Sequence, residues 1–111
     1  MTVPEVSPED GAQLVRDGAM LLDCRNDDEW AAGHAADATY VTLQQIPKAI
    51  DSLPRDRRIV AICRTGARSA NAAQYLINQG FDAVNLAGGL RAWVAAGLPV
   101  VTDDGTAGTV I

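Results

Sequence analysis

Apolar and polar positions along this chain follow two periods in turn. Short, nearly unbroken apolar runs stand at residues 19–22 and 59–62, with weaker ones near 3–6, 38–41 and 83–86. Between them lie segments whose apolar residues recur every three or four positions. That alternation predicts an α/β fold with a parallel sheet. Residues 19–23 are apolar on both faces and so predict a central strand. Ser7 is placed to cap a first helix, with Pro8 in its first turn, Glu9 and Asp10 behind it, and Gly18 as its stop. Asn26, Glu29 and Gly33 carry the start and stop signals of a short second helix, followed at once by His34. Leu43, Ile46, Ile50 and Leu53 share one helical face. Pro47 restricts the regular part to a start near Ile46, with residues 42–45 looser, and Pro54 ends it. A fourth strand over 58–62 delivers Cys63. A helix over 69–79 follows, with Ala70, Ala73, Leu76 and Ile77 on one side. After the 83–86 strand, Gly88 and Gly89 form a sharp turn into a last helix at 90–94.

The 111 residues fit one domain, over 1–101. Residues 102–111 are rich in Gly, Thr and Asp without periodicity, and read as a flexible tail unless they dock. Aromatic residues make up 5% of the chain, so the core is built from Val, Ile, Leu and Ala. A net charge of −5 argues against nucleic-acid and anionic-membrane partners. No apolar run approaches the ~20 residues of a membrane span. The start lacks a basic, apolar leader, and two cysteines suggest a reducing cytoplasm. A single histidine and no Cys-x-x-Cys pair argue against a structural zinc site, and no cofactor is called for.

The candidate chemistry lies at Cys63-Arg64-Thr65-Gly66-Ala67-Arg68-Ser69. A cysteine where a buried strand ends and a helix begins meets free N–H groups and a positive dipole end, which favour thiolate. Arg64 and Arg68 add positive charge. Gly66 permits the dihedrals that curl so short a loop into a cup of inward N–H groups. The nucleophile is therefore expected to handle a small anion. The Cys-x4-Arg spacing is one residue shorter than the loop of cysteine phosphatases, and a pre-formed thiolate attacking sulfur needs no separate general base. Arg55, Arg57 and Arg58 read as a solvated turn, Trp30 and Trp93 as packing residues, and His34 as a structural hydrogen-bonding residue. Thr65 and Ser69 each allow two roles, substrate contact or helix capping, with capping favoured for Ser69. Asp23 and Arg25 read as a bracing pair. Cys24 reads first as a buried apolar residue; it ends a neighbouring central strand, and from there it could approach the site and take up sulfur or form a disulfide.

Three segments in order resemble a single-domain rhodanese, a thiosulfate:cyanide sulfurtransferase: Leu21-Leu22-Asp23-Cys24-Arg25 with Glu29 and Gly33-His34; the 63–69 loop; and Leu86-Ala87-Gly88-Gly89 with Trp93. The resemblance spans about residues 4–100. It implies a three-layer α/β/α domain with a central five-stranded parallel sheet. It also implies ping-pong transfer through a Cys63 persulfide, from thiosulfate or a similar anionic sulfur donor to cyanide or a thiol, including a thiol on a protein. N–H groups of residues 64–69 would hold the persulfide, and Arg64 and Arg68 would position the sulfonate. Arg64 at the second loop position matches the thiosulfate type more than the mercaptopyruvate type. Two departures stand out. Ala35-Ala36-Asp37-Ala38 replaces the usual Ile-Pro-Gly-Ala, and Cys24 stands where valine is usual. The competing functions are a sulfur-carrying or redox-sensing module without turnover, and, with less support, a phosphatase or arsenate reductase.

Overall fold

The computed structural model describes residues 3–111. Five parallel strands form one sheet in the order β1-β5-β4-β2-β3. They are β1 (Glu5–Val6), β2 (Met20–Asp23), β3 (Ala38–Tyr40), β4 (Ile59–Ile62) and β5 (Ala83–Leu86). The expected five-stranded parallel α/β architecture is therefore present. β4 lies at the centre, between β2 and β5, and none of its four side chains reaches solvent. That is the environment its unbroken apolar run requires.

Alternation along the strands divides the core in two. Leu22, Cys24, Ile59, Ala61, Cys63 and Ala83 face α3 (Ile46–Ala49) and α4 (Ala67–Asn78). Leu21, Val60, Ile62, Val84 and Leu86 face α1 (Pro8–Arg16) and α5 (Gly89–Ala95). Ala72 and Ala73 let α4 lie close on the sheet, while Leu76 is wholly buried there, worth about 1.5–3 kcal/mol as transferred apolar surface. α1 starts as its sequence dictates, with the Asp10 N–H donating to Ser7 Oγ at 3.1 Å. α2 (Asp27–Ala32) begins with the Asn26 N–H donating to Glu29 Oε1 at 3.1 Å.

Three local features differ from the pattern reading. The regular helix around Pro47 starts at Ile46 after a 3-10 turn at Leu43–Gln45, as expected, but lasts only one turn and gives way to a second 3-10 turn at Ile50–Ser52. α4 starts two residues before the expected position, because Gly66 at φ +109° is its N-cap. Ser69 consequently lies inside the first turn and does not cap the helix. The last residues dock. Val101 exchanges backbone hydrogen bonds with His34, and the Thr109 N–H donates to Ala32 O at 2.9 Å. The Thr109 backbone lies so close that a Cβ on Gly33 would come within 2.5 Å of its oxygen. Val110 packs against the α1/α5 side of the core. The polar composition of this segment gave no sign of such docking, because main-chain hydrogen bonds and two small residues supply much of it.

His34 is held rather than free. Its ring stacks on Trp30 with centroids 3.6 Å apart, and Nδ1 lies 2.8 Å from Trp30 O. Trp30 in turn stacks on Tyr40 at 4.8 Å, and Trp93 is buried against the sheet. The packing roles read for both tryptophans hold. Among the described residues no helix is long and apolar enough to cross a membrane.

Candidate active site

Parallel strands deliver their C-terminal ends to one edge of the sheet, and at that edge β4 hands over to Cys63. Three sets of contacts then shape the loop before α4. The first turn of α5 supplies two donors: the Leu90 N–H bonds Cys63 O at 2.8 Å and the Arg91 N–H bonds Arg64 O at 3.0 Å. Both loop carbonyls are thereby turned away from the sulfur. The loop's own N–H groups are left pointing inward, and those of Gly66 and Ser69 lie 3.1 and 3.4 Å from Cys63 Sγ. This is a backbone anion nest at the N-terminus of a 12-residue helix.

Gly88, the N-cap of α5, and Gly89, its first residue, make that arrangement possible. Gly89 has φ +63°, and a Cβ built on it would lie 2.5 Å from Cys63 O and 2.6 Å from Arg64 O. A Gly89→Ala substitution is therefore expected to push α5 off the loop. Its cost is about 1–3 kcal/mol in stability, the range for overpacking or a strained positive φ. Cys63 should then alkylate more slowly at neutral pH, since its N–H donors lose their alignment. Denaturant midpoints and iodoacetamide rates measure both. Unchanged values would show that the two carbonyl contacts do not shape the cup.

The third set comes from β5. Asn85 is buried on the α4 side and donates from Nδ2 to Gly66 O at 3.0 Å and to Glu5 Oε2 at 2.9 Å. Those two acceptors fix the amide, so Oδ1 faces Ser69 Oγ at 2.6 Å. Ser69 Oγ also lies 3.2 Å from Cys63 Sγ. With Gly66 O at 3.3 Å, its single proton is shared among three acceptors, the sulfur among them. Sequence reasoning passed over Asn85 as an ordinary strand residue. The available signal was a polar residue in an otherwise apolar strand, which needs buried partners.

Burial acts to raise the Cys63 thiol, but hydrogen bonds from Ser69, Gly66 and Thr65 outweigh it and bring the thiol below its ordinary value. The sulfur is buried at the floor of the loop and polarised by these donors. Thr65 and Ala67 lie at the exposed rim.

The two arginines occupy different settings. Arg68 forms a bidentate pair with Glu29, at 2.6 Å and 2.9 Å, across 39 residues of sequence. No local pattern marks such a pairing; Glu29 reads as a helix-start residue and as part of the family resemblance, neither of which names Arg68 as its partner. Arg64 donates from Nε to the main-chain oxygen of Ile111 at 2.9 Å, so the docked terminal segment reaches the loop. The Arg68 hydrogen bond holds the Glu29 carboxyl at about 2, below its ordinary 4.5. A depressed carboxylate stabilises the fold above its unfolded value, and that contribution is lost as pH falls from about 4.5 towards 2. Wild type should therefore lose its stability advantage over Glu29→Gln across that window. Urea midpoints at successive pH values test this, and a constant difference between the two proteins would contradict it.

Asp23 and Arg25 form a fully buried pair behind the site. Arg25 Nε lies 3.0 and 3.1 Å from the two Asp23 oxygens, and Nη2 donates to Asp23 Oδ2 at 2.9 Å and to Gly33 O at 2.7 Å. The pair therefore fixes the end of β2 to the end of α2, as a brace. Cys24 lies between the two. Its thiol faces the other side of the sheet, with Sγ 3.6 Å from Ile62 O. Burial first, then the charges of Cys63 and Asp23, push it up to about 12.

Comparison with known proteins gives a consistent picture. The model of the rhodanese-like domain matches residues 7–96. A sulfurtransferase of Allochromatium vinosum is 40% identical over 106 residues, covering 93% of this chain and 99% of that protein. A thiosulfate sulfurtransferase GlpE of Actinobacillus pleuropneumoniae serotype 3 is 35% identical, covering 91% and 95% of the two chains. Among solved structures, a rhodanese-related protein of Thermoplasma volcanium superimposes with a TM-score of 0.84 at 27% identity, over 90% of this chain and 99% of that one.

Proposed function

This chain belongs to the rhodanese-like domain family, and from that premise we propose that it is a sulfurtransferase working through a Cys63 persulfide. The family and its named relatives support sulfur transfer. The observation that carries the finer reading is the Cys63 sulfur itself, buried, lowered in pKa and facing the N–H groups of Gly66 and Ser69.

In the first half-reaction the Cys63 thiolate attacks the outer sulfur of thiosulfate. The bond between that sulfur and the sulfonate sulfur breaks, and sulfite leaves with its electron pair. No proton has to move, because nucleophile and leaving group are both anions. The persulfide stays charged, and the inward N–H groups of Gly66 and Ser69 suit a sulfur anion one atom further out. In the second half-reaction cyanide or a thiolate attacks the outer sulfur and Cys63 returns as thiolate. Arg64 at the rim steers and positions the anionic donor. Arg68, committed to Glu29, contributes charge from behind the loop.

Thiosulfate followed by intact-mass measurement should add one sulfur atom to the protein. Cyanide should then remove it with stoichiometric thiocyanate. Absence of both the sulfur adduct and thiocyanate would overturn the reading. An adduct that forms readily but resists every small acceptor would instead mark a carrier that delivers sulfur to a protein.

A further inference from the structure

The two cysteines of this chain are neighbours across the sheet, although 39 positions separate them in sequence. In the β2/β4 ladder Asp23 is the partner of Ile62, and the Cys24 N–H continues that ladder to Ile62 O at 3.1 Å. The register therefore sets Cys24 beside Cys63. Both side chains belong to the α3/α4 side of the core, with Leu22 and Ala61 one step back on the same face. Adjacent strands lie about 4.7–4.9 Å apart, within the roughly 4.4–6.8 Å of Cα separation that a disulfide spans. Both thiols are free. Cys24 is anchored on its other side, where the Leu43 N–H donates to its carbonyl at 3.2 Å.

We propose that Cys24 is a resolving thiol for Cys63, giving this protein a second output, hydrogen sulfide, when no acceptor is at hand. The step rests on the persulfide reading above. Cys24 Sγ attacks the inner sulfur of the Cys63 persulfide and a Cys24–Cys63 disulfide forms. The bond from Cys63 Sγ to the outer sulfur breaks, and the Cys24 proton goes to that sulfur, which leaves as hydrosulfide. The two cysteine sulfurs are oxidised and the sulfane sulfur is reduced, so no outside oxidant enters. A dithiol reductant then restores both thiols. Over a full cycle, thiosulfate and a dithiol give sulfite, sulfide and a disulfide. Because Cys24 is held as the thiol, this exit is slow beside transfer to a ready acceptor, and it quickens as pH rises.

The test loads the full chain in two ways, with thiosulfate and separately with inorganic polysulfide, removes the donor and follows intact mass without acceptor. The wild type should lose its added sulfur and end two hydrogens lighter than the resting protein. Hydrosulfide should appear in equal amount, and peptide mapping should join Cys24 to Cys63 until dithiothreitol is added. Cys24→Val and Cys24→Ala should hold the persulfide at least about tenfold longer, since they lack the intramolecular attack. Equal persistence in wild type and both variants would overturn the proposal, as would loss of sulfur that leaves both thiols free. If polysulfide loads Cys63 and thiosulfate does not, the thiosulfate reading fails while the polysulfide arm still decides the resolving step. A Cys63 that neither donor loads overturns both.

Discussion

Cys63→Ser is expected to lower thiocyanate formation by more than about a thousandfold, as removal of an essential nucleophile does. The loop is built around that atom. Two N–H groups converge on it, the α5 amides draw the neighbouring carbonyls away, and burial strips it of water. Every one of those features serves an anion. A serine hydroxyl fits the same space but ionises so much less readily that the nest cannot make it an alkoxide near neutral pH. Thermal stability should change little, because the loop's hydrogen bonds to α5 and β5 do not pass through the sulfur. The variant keeps Cys24, which makes it informative in a second way. A buried thiol held protonated should not load from thiosulfate directly, so the mass of Cys63→Ser should stay constant. Turnover that survived in this variant would remove Cys63 from the centre of the chemistry.

What the sequence made legible divides along physical lines. Strand order along the chain, the helix starts at Ser7 and Asn26, and the position of Cys63 at a strand end all follow from local signals. Periodicity, caps and turn residues act over a few positions and can be read there. The contacts that finish the site act between distant segments. Glu29 meets Arg68 and Asn85 meets Ser69 only once β2, β4 and β5 are aligned, and nothing local to any of the four residues encodes its partner. Ser69 shows the limit most clearly. Its residue type favours a cap, but Gly66 takes that place through a left-handed backbone, and the hydroxyl is left to the sulfur and to Asn85. The terminal segment, read as flexible unless it docks, shows the same limit. Composition describes how a stretch behaves alone, whereas residues 101–111 are held by backbone groups of residues 32–34, by the Val101–Ala107 pairing and by Arg64.

Asp23→Ala should cost about 3–5 kcal/mol of stability, the largest loss expected of any substitution away from the sulfur. Arg25 is wholly buried, and Asp23 is the only carboxylate that pairs with it among the described residues. One of its nitrogens, Nη1, already has no hydrogen-bond partner there. Removing Asp23 would leave a guanidinium charge in a low-dielectric interior with a single main-chain acceptor, Gly33 O. The penalty comes from the stranded charge more than from the lost contact, and this distinction can be measured. Asp23→Ala combined with Arg25→Met should recover part of the loss, because the pair is removed together and the long apolar chain keeps the space filled. Urea unfolding of the two single variants and the double variant closes the cycle. Additive losses would mean that the pair acts as two independent residues. A recovered double variant would still lack the link from β2 to Gly33. Since Gly33 leads directly into His34 and the docked Val101, activity should return less completely than stability.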